Sequence, residues 1–128
     1  MKLYLAGPMS GLPDFNYPAF HDAREKLRKA GHEVICPAEY TIQQGIDNTN
    51  LPYGFLTNQM RFCIKSVLEV DAVAMLPYWA RSLGARTEAL VAVSIGIPIY
   101  AYDKHNPELL ELLPNVDVIT RVEMIAKK

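Results

Sequence analysis

The alternation of apolar and polar positions divides the chain into short strands and longer helices. Short segments that are mostly apolar, bounded by turn residues or charges, predict strands at 2–6, 33–36, 72–76 and 98–102. The third run, AVAML, contains no polar position, which favours a central parallel strand that is buried on both faces. The intervals between the runs are long enough to hold helices.

Apolar residues at helical spacing occupy those intervals. The pattern predicts one helix from a cap at Asn16 to Gly31, a second over 56–68, and a third from Leu83 to about Ile95. Each predicted helix therefore lies between two predicted strands.

Two other regions carry weaker patterns. The polar segment 37–52 has no period and predicts a long loop. Near the C-terminus, Asn106, Pro107 and Glu108 provide a cap, an N1 proline and a first-turn acid, which predict a short helix. The run VDVIT at 116–120 then predicts an edge strand.

This order of elements predicts an α/β fold. Helices would cover both faces of a parallel sheet of about five strands, which makes a three-layer sandwich. The flavodoxin-like strand order 2-1-3-4-5 is one order that fits this sandwich, and the expectations that follow are conditional on it. Ligands in such sheets bind at the carboxyl ends of the strands where the winding direction reverses, here between strands one and three. The loops at that point are GPMSG at 7–11 and PYWARS at 77–82, and we expect them to meet.

Composition narrows the functional classes. A chain of 128 residues with half of its positions apolar predicts one globular domain over 1–128. The net charge of −1 gives no electrostatic reason to bind a nucleic-acid polymer. The uncharged stretch 89–102 is too short to cross a membrane, and the start of the chain does not resemble a signal peptide. We therefore expect a soluble cytoplasmic protein whose two separated cysteines are free thiols.

Ser82 is the first candidate for chemistry. It directly precedes a predicted helix, so its side chain can act as an N-cap. A helix start also attracts anions, and Arg81 adds a charge whose geometry matches phosphate. Gly84 would let a ligand approach the backbone. Both a cap and a phosphate or carboxylate site are open at this stage.

Glu88 is the second candidate, because it is a lone acid in an otherwise apolar helix. It shares a stripe with Ala85, Ala92 and Ile95, where a charge is costly unless another group satisfies it. One interpretation is a buried acid bonded to a neighbouring tyrosine or amide. The other is a carboxylate aimed into a pocket, which suits a nucleophile that traps a sugar carbon.

Three motifs resemble one known family. YLAGPMSG near the start, VDAVAMLPYW in the middle and SLGARTEALVAVSIGIP after it are similar to segments of the nucleoside 2-deoxyribosyltransferase family. The small relatives with a GPMSG start are especially similar, and the resemblance covers about residues 2–102. It implies a flavodoxin-like fold, a homodimer or larger homo-oligomer, and cleavage or transfer at the N-glycosidic bond of deoxynucleosides.

The resemblance also assigns roles to residues. It implies that Glu88 is the nucleophile and that Tyr4 and Gly7 line the sugar pocket. Ser82 stands where transferases acting on free nucleosides carry an aspartate. The branch that hydrolyses nucleoside 5′-monophosphates has serine there and uses it on phosphate, and Ser10 could complete that site. The expected ligand is therefore a small nucleotide, bound without a metal or an organic cofactor.

One position departs from the family pattern. Counting from the strand acid Asp71, Cys63 stands where the family carries an aspartate that helps to protonate the leaving base or orient the sugar. A thiol is a poor general acid. The alternative hypothesis is thus a non-catalytic nucleotide-binding or sensing module. Asp71 itself is expected to be structural, because it lies at the opposite end of its strand.

Trp79 leaves two interpretations open. As the aromatic residue of the PYWARS loop, it can pack in the core, or it can stack on the base and form a wall of the pocket. Asp47 and Asn48 lie in the long polar segment and cannot be placed from the pattern.

Overall fold

The structure is a computed structural model that describes residues 1–9, 11–45, 54–107 and 109–126. Its strands are β1 (Lys2–Ala6), β2 (Glu33–Ile35), β3 (Ala72–Met75), β4 (Ile99–Ala101) and β5 (Glu111–Leu113). Its helices are α1 (Tyr17–Lys29), α2 (Pro37–Gln43), α3 (Phe55–Val67), α4 (Leu83–Ile95) and α5 (Asn115–Ala126). The first four strands and the three long helices between them are those that the apolar pattern predicts.

The five strands form one sheet in the order β2-β1-β3-β4-β5. β1 pairs in parallel with both β2 and β3, and β3 pairs in parallel with β4. The α/β class and the strand order 2-1-3-4-5 are therefore confirmed, and the fold is compatible with the flavodoxin-like type. The sheet is parallel as predicted except at one edge, where β5 runs antiparallel to β4. The chain between these two strands contains no crossover helix among its described residues, and without a crossover the next strand returns antiparallel.

The C-terminal prediction is also wrong in its elements. The run 116–120 lies inside α5, and the edge strand is instead Glu111–Leu113. Val118 is buried and Val122 packs against the same core cluster. The core-facing residues are therefore four positions apart, as in a helix, and not two positions apart, as in a strand. Pro107 lies in a turn and starts no helix, while Glu108 is outside the described residues.

The segment after β2 is more regular than its composition predicts. Pro37 occupies the first turn of α2, where the missing N–H of a proline costs nothing. The hydroxyl of Thr41 donates to the carbonyl of Pro37 at 3.0 Å, so this buried polar group is satisfied within the helix. The predicted loop is therefore wrong for Pro37–Gln43, and the part that contains Asp47 and Asn48 lies outside the described residues.

Both faces of the sheet are covered, as the three-layer prediction requires. Leu3 and Leu5 of β1 point to the side packed by α1, where Leu27 is buried. Tyr4 and Ala6 point to the opposite side, which is packed by α3, α4 and α5. Because successive strand residues face opposite ways, Tyr4 is directed toward the helix that carries the candidate acid.

The sheet brings the two candidate loops together at one edge. The amide of Leu76 donates to the carbonyl of Ala6 at 2.8 Å, which joins the chain just after β1 and β3. A Cβ on Gly7 would lie 2.8 Å from the Cβ of Leu76, so this approach requires glycine. At the far end of the strands, Asp71 accepts from the backbone amide of Lys2 at 2.8 Å, which confirms its structural role. None of the helices in the described residues has the length and hydropathy of a membrane span.

Candidate active site

A cavity of about 770 Å³ lies at the carboxyl edge of β1 and β3. Its size is within the range of small-molecule sites. The first loop contributes Gly7, Pro8 and Met9 to its lining, and the second contributes Pro77, Tyr78, Arg81 and Ser82. The structure thus brings together the two loops that the switch-point rule pairs. Ser10 lies outside the described residues, so its predicted role stays a prediction.

Glu88 lines this cavity although it is almost fully buried. Its side chain belongs to α4, the residue is 4% exposed, and among the described residues no partner donates a hydrogen bond to Oε2. Burial raises the pKa of Glu88 to about 8, and the nearby Tyr4 hydroxyl acts in the opposite direction. The carboxyl is therefore largely protonated at neutral pH and titrates close to it. Shifted pKa values of this kind are frequent among the carboxyl groups of functional sites.

Tyr4 and Cys63 lie beside Glu88 at the cavity wall. Burial raises the pKa of Tyr4 well above its usual value, and the charge of Glu88 raises it further. Burial is also the main reason that the pKa of Cys63 rises to about 12. Among the described residues, no group forms a hydrogen bond of good geometry with the Tyr4 hydroxyl. Three buried polar groups therefore converge at the cavity wall, and all three are mainly neutral at pH 7.

Ser82 caps α4 and also lines the cavity. Its Oγ accepts from the amide of Ala85 at 3.2 Å, and Ser82 itself is extended, as an N-cap should be. The capping interpretation therefore holds. It leaves the hydroxyl hydrogen free to donate, because an accepting hydroxyl can still donate to another group. The cap and an anion contact are compatible.

The sequence suggests that Gly84 makes room for a ligand, but in the structure its nearest neighbour is a side chain of α3. A Cβ at this position would lie 3.3 Å from Sδ of Met60 and 3.8 Å from Oγ of Ser82. The glycine therefore allows α3 to pack closely against the start of α4. Gly84 also lines the cavity, so close approach by a ligand remains geometrically open.

The loop before α4 separates its two aromatic residues. Trp79 is 3% exposed and packs in the core with Ala85 and Ala89, and it is not one of the cavity-lining residues. The packing interpretation of Trp79 therefore fits, and the stacking interpretation does not. Tyr78 instead lines the cavity, and Cζ of Arg81 lies 5.0 Å from its ring centroid.

Several cavity residues have no clear signal in the sequence. Gln59 of α3 donates to Sδ of Met9 at 3.3 Å, which ties the first loop to α3. Asn16 stands at the predicted cap position, but its side chain donates to the carbonyl of Pro8 at 3.0 Å instead of capping α1. Both amides therefore hold the first loop over the cavity. An amphipathic pattern identifies α3 but does not show which of its polar residues faces a ligand.

Comparison with known proteins places the chain in a family. A family model described as "Domain of unknown function (DUF4406)" matches residues 1–101. The chain belongs to the DUF4406 family. The DUF4406 match includes every cavity residue named above, from Tyr4 to Glu88, whereas β5 and α5 follow it. No curated protein gives a significant match to the chain.

Proposed function

We propose that this protein cleaves or transfers at the N-glycosidic bond of a nucleoside or deoxynucleoside 5′-monophosphate. Glu88 would be the nucleophile. The observation that carries the proposal is the Glu88 carboxyl, which is buried, lines the cavity and has an oxygen without a hydrogen-bond donor among the described residues. Burial of a carboxyl oxygen without a hydrogen-bond donor destabilises a fold, and such groups cluster at functional sites. The resemblance of the three sequence motifs to nucleoside 2-deoxyribosyltransferases supports the same role.

The position of Ser82 supports a phosphorylated substrate. Ser82 and Glu88 are six residues apart on one helix, which corresponds to about 9 Å along its axis. An anionic group at the start of α4 would meet free amides, the positive end of the helix dipole and Arg81. The sugar of the same ligand would then extend inward along the cavity toward Glu88. A nucleotide has this arrangement of an anion, a sugar and an apolar base.

The proposed reaction proceeds through a covalent intermediate. An ionised Glu88 oxygen bonds to the anomeric carbon while the carbon–nitrogen bond breaks, and the electron pair leaves with the base, which takes up a proton from water. Water or a second base then attacks the same carbon and gives its proton to the solvent, where it replaces the proton that the first base took up, and the bond to Glu88 breaks to release the carboxylate. Glu88 is the one carboxyl group among the described residues that line the cavity. A single carboxyl group fits a mechanism with one nucleophile, and it does not fit one in which two carboxylates act on opposite faces of the sugar.

Cys63 favours a second candidate function. It lines the cavity where the family resemblance places an aspartate, and a thiol with a pKa of about 12 is a weak proton donor at neutral pH. The alternative is a nucleotide-binding or sensing module that has the pocket without the chemistry. Under this alternative the protein binds nucleotides and releases no base.

One experiment separates the two functions. The protein is incubated with each deoxynucleoside 5′-monophosphate, and free base is measured by chromatography. We expect base release by the wild type and none by Glu88→Gln, which keeps the shape of the side chain but cannot attack. Nucleotide binding by Glu88→Gln, measured by calorimetry, should persist. Binding without base release by the wild type would support the sensing module, and base release by a folded Glu88→Gln would exclude Glu88 as the nucleophile.

A further inference from the structure

Tyr78 has an unusual backbone and an unusual exposure. Its φ of 65° and ψ of 18° are left-handed, a region that side chains other than glycine enter at a cost. Its side chain is 70% exposed, so burial does not offset that cost. An exposed aromatic residue held in a strained conformation at a cavity points to a role in binding rather than in folding.

The strained turn brings Tyr78 against Arg81. Tyr78 directly precedes the short 3-10 turn Trp79–Arg81, and Arg81 is its last residue. Cζ of Arg81 lies 5.0 Å from the centroid of the Tyr78 ring. This separation is within the range of a cation–π contact. The buried neighbour Trp79 anchors the turn in the core, so the pair is fixed at the cavity mouth.

Arg81 has no carboxylate partner among the described residues. The ion pairs found there involve Arg24, Lys26 and Arg28, all distant in the chain from this loop. The guanidinium therefore keeps its hydrogen-bond donors while the tyrosine ring limits its freedom. A guanidinium in this state matches the two oxygens of a phosphate group.

We propose that Tyr78 is a positioning residue that holds the Arg81 guanidinium at the cavity mouth for a phosphate group of the ligand. The inference deepens the proposed function and rests on it for the identity of the nucleotide, but not for the anion site itself. The ring increases the preference for phosphorylated over unphosphorylated ligands through Arg81. It does so without stacking on the base.

The anion site is tested first with inorganic phosphate, which does not depend on glycosidase activity. The Nε–Hε signals of the arginine side chains are followed by ¹⁵N NMR, and the Arg81→Ala variant identifies the signal of Arg81. We expect that signal to move on addition of phosphate. In Tyr78→Ala it should lose the ring-current shift, and the phosphate affinity should fall about two- to fivefold, as expected for an exposed cation–π contact. Tyr78→Phe, which keeps the ring, should restore both.

The second arm compares deoxyadenosine 5′-monophosphate with deoxyadenosine by calorimetry. Tyr78→Ala should lower the preference for the monophosphate about two- to fivefold, and it should have no further effect when Arg81→Ala is already present. Arg61→Ala is the matched control, because Arg61 is an exposed arginine of α3 outside the cavity lining. It should leave the preference unchanged.

Three results would overturn the inference. An unchanged phosphate affinity in Tyr78→Ala would show that the ring does not position Arg81. Equal losses for the nucleoside and the monophosphate would assign the ring to the base instead. An effect of Tyr78→Ala that persists in the Arg81→Ala background would show that the two residues act separately. Failure of base release with phosphate binding as expected would refute the glycosidase proposal and leave this inference standing.

Discussion

Replacement of Glu88 by glutamine should remove a pH dependence from the stability of the fold. Burial raises the pKa of Glu88 from the ordinary value of 4.5 to about 8. Between these two values the folded protein holds a proton that the unfolded chain has released. The free energy of unfolding must therefore fall as the pH rises through this window. The stability contributed by the protonated group is complete below about pH 4.5 and is lost by about pH 8.

The magnitude follows from the size of the pKa difference. One proton changes the free energy of unfolding by about 1.4 kcal/mol per pH unit, so the whole window corresponds to about 5 kcal/mol. Glu88 is 4% exposed, so solvent screens this effect little. A domain of this size has a total stability of about 5–15 kcal/mol, and the loss is large enough to measure. A glutamine amide does not titrate, so Glu88→Gln lacks this loss.

The assay is urea unfolding of the wild type and Glu88→Gln at intervals from pH 5 to pH 8. We expect similar stability near pH 5 and a growing advantage for the variant at higher pH, which reaches several kcal/mol near pH 8. Glu69→Gln is the control, because Glu69 is an exposed carboxylate beyond the end of α3. Its stability curve should run parallel to that of the wild type.

Parallel curves for the wild type and Glu88→Gln would refute the reasoning. They would mean that Glu88 titrates with the same pKa in the folded and unfolded states, and hence that its carboxyl is solvated or paired in solution. A variant that is less stable at every pH would instead assign Glu88 a structural hydrogen bond.

Three further predictions concern the same cavity. The rate of base release should increase with pH up to an apparent pKa near 8, because only the ionised Glu88 can attack. A rate that falls with pH over this range would assign Glu88 the role of a general acid. Ser82→Ala should weaken the binding of nucleoside monophosphates about tenfold or more and leave the binding of free nucleosides nearly unaffected, because a hydrogen bond to a charged group is worth about 1.5–3 kcal/mol. Equal losses of affinity for both ligands in calorimetry would mean that Ser82 acts only as a helix cap. Gly7→Ala should destabilise the fold by about 1–3 kcal/mol in thermal melts, because its Cβ would lie 2.8 Å from that of Leu76, and an unchanged melt would show that β1 and β3 separate easily.

Part of the candidate site is local in the chain and therefore predictable from it. A helix start at Leu83 makes Ser82 a cap, and the helical rise alone fixes the distance along the axis to Glu88. The apolar runs of β1 and β3 identify a buried parallel sheet, and the switch-point rule then pairs the loops that follow them. These inferences depend only on the periodicity of apolar residues and on backbone hydrogen bonds between residues that are close in the chain.

The predicted secondary structure is wrong where a segment fits both a strand pattern and a helix pattern, or where it has no periodic pattern. The apolar residues of the run 116–120 alternate as in a strand, but the run also fits a helix. It forms part of α5, in which Val118 packs against the core. The edge strand Glu111–Leu113 has only three residues and is mostly exposed, so its sequence carries almost no periodic signal. Its pairing with β4 depends on an available sheet edge, which is a property of the tertiary structure.

The sequence by itself determined the α/β class and the helix that carries Ser82 and Glu88, because these depend on periodicity and chain connectivity. The strand order 2-1-3-4-5 was an expectation from a known fold type, and the structure confirmed it. Periodicity does not place Tyr4 and Cys63 beside Glu88; the family resemblance implied this arrangement, and the tertiary structure shows it. Only the tertiary structure raised the pKa of that carboxyl, since burial depends on residues distant in the chain. Only the structure also showed the left-handed backbone of Tyr78, because a positive φ at a residue other than glycine has no signature in composition or spacing.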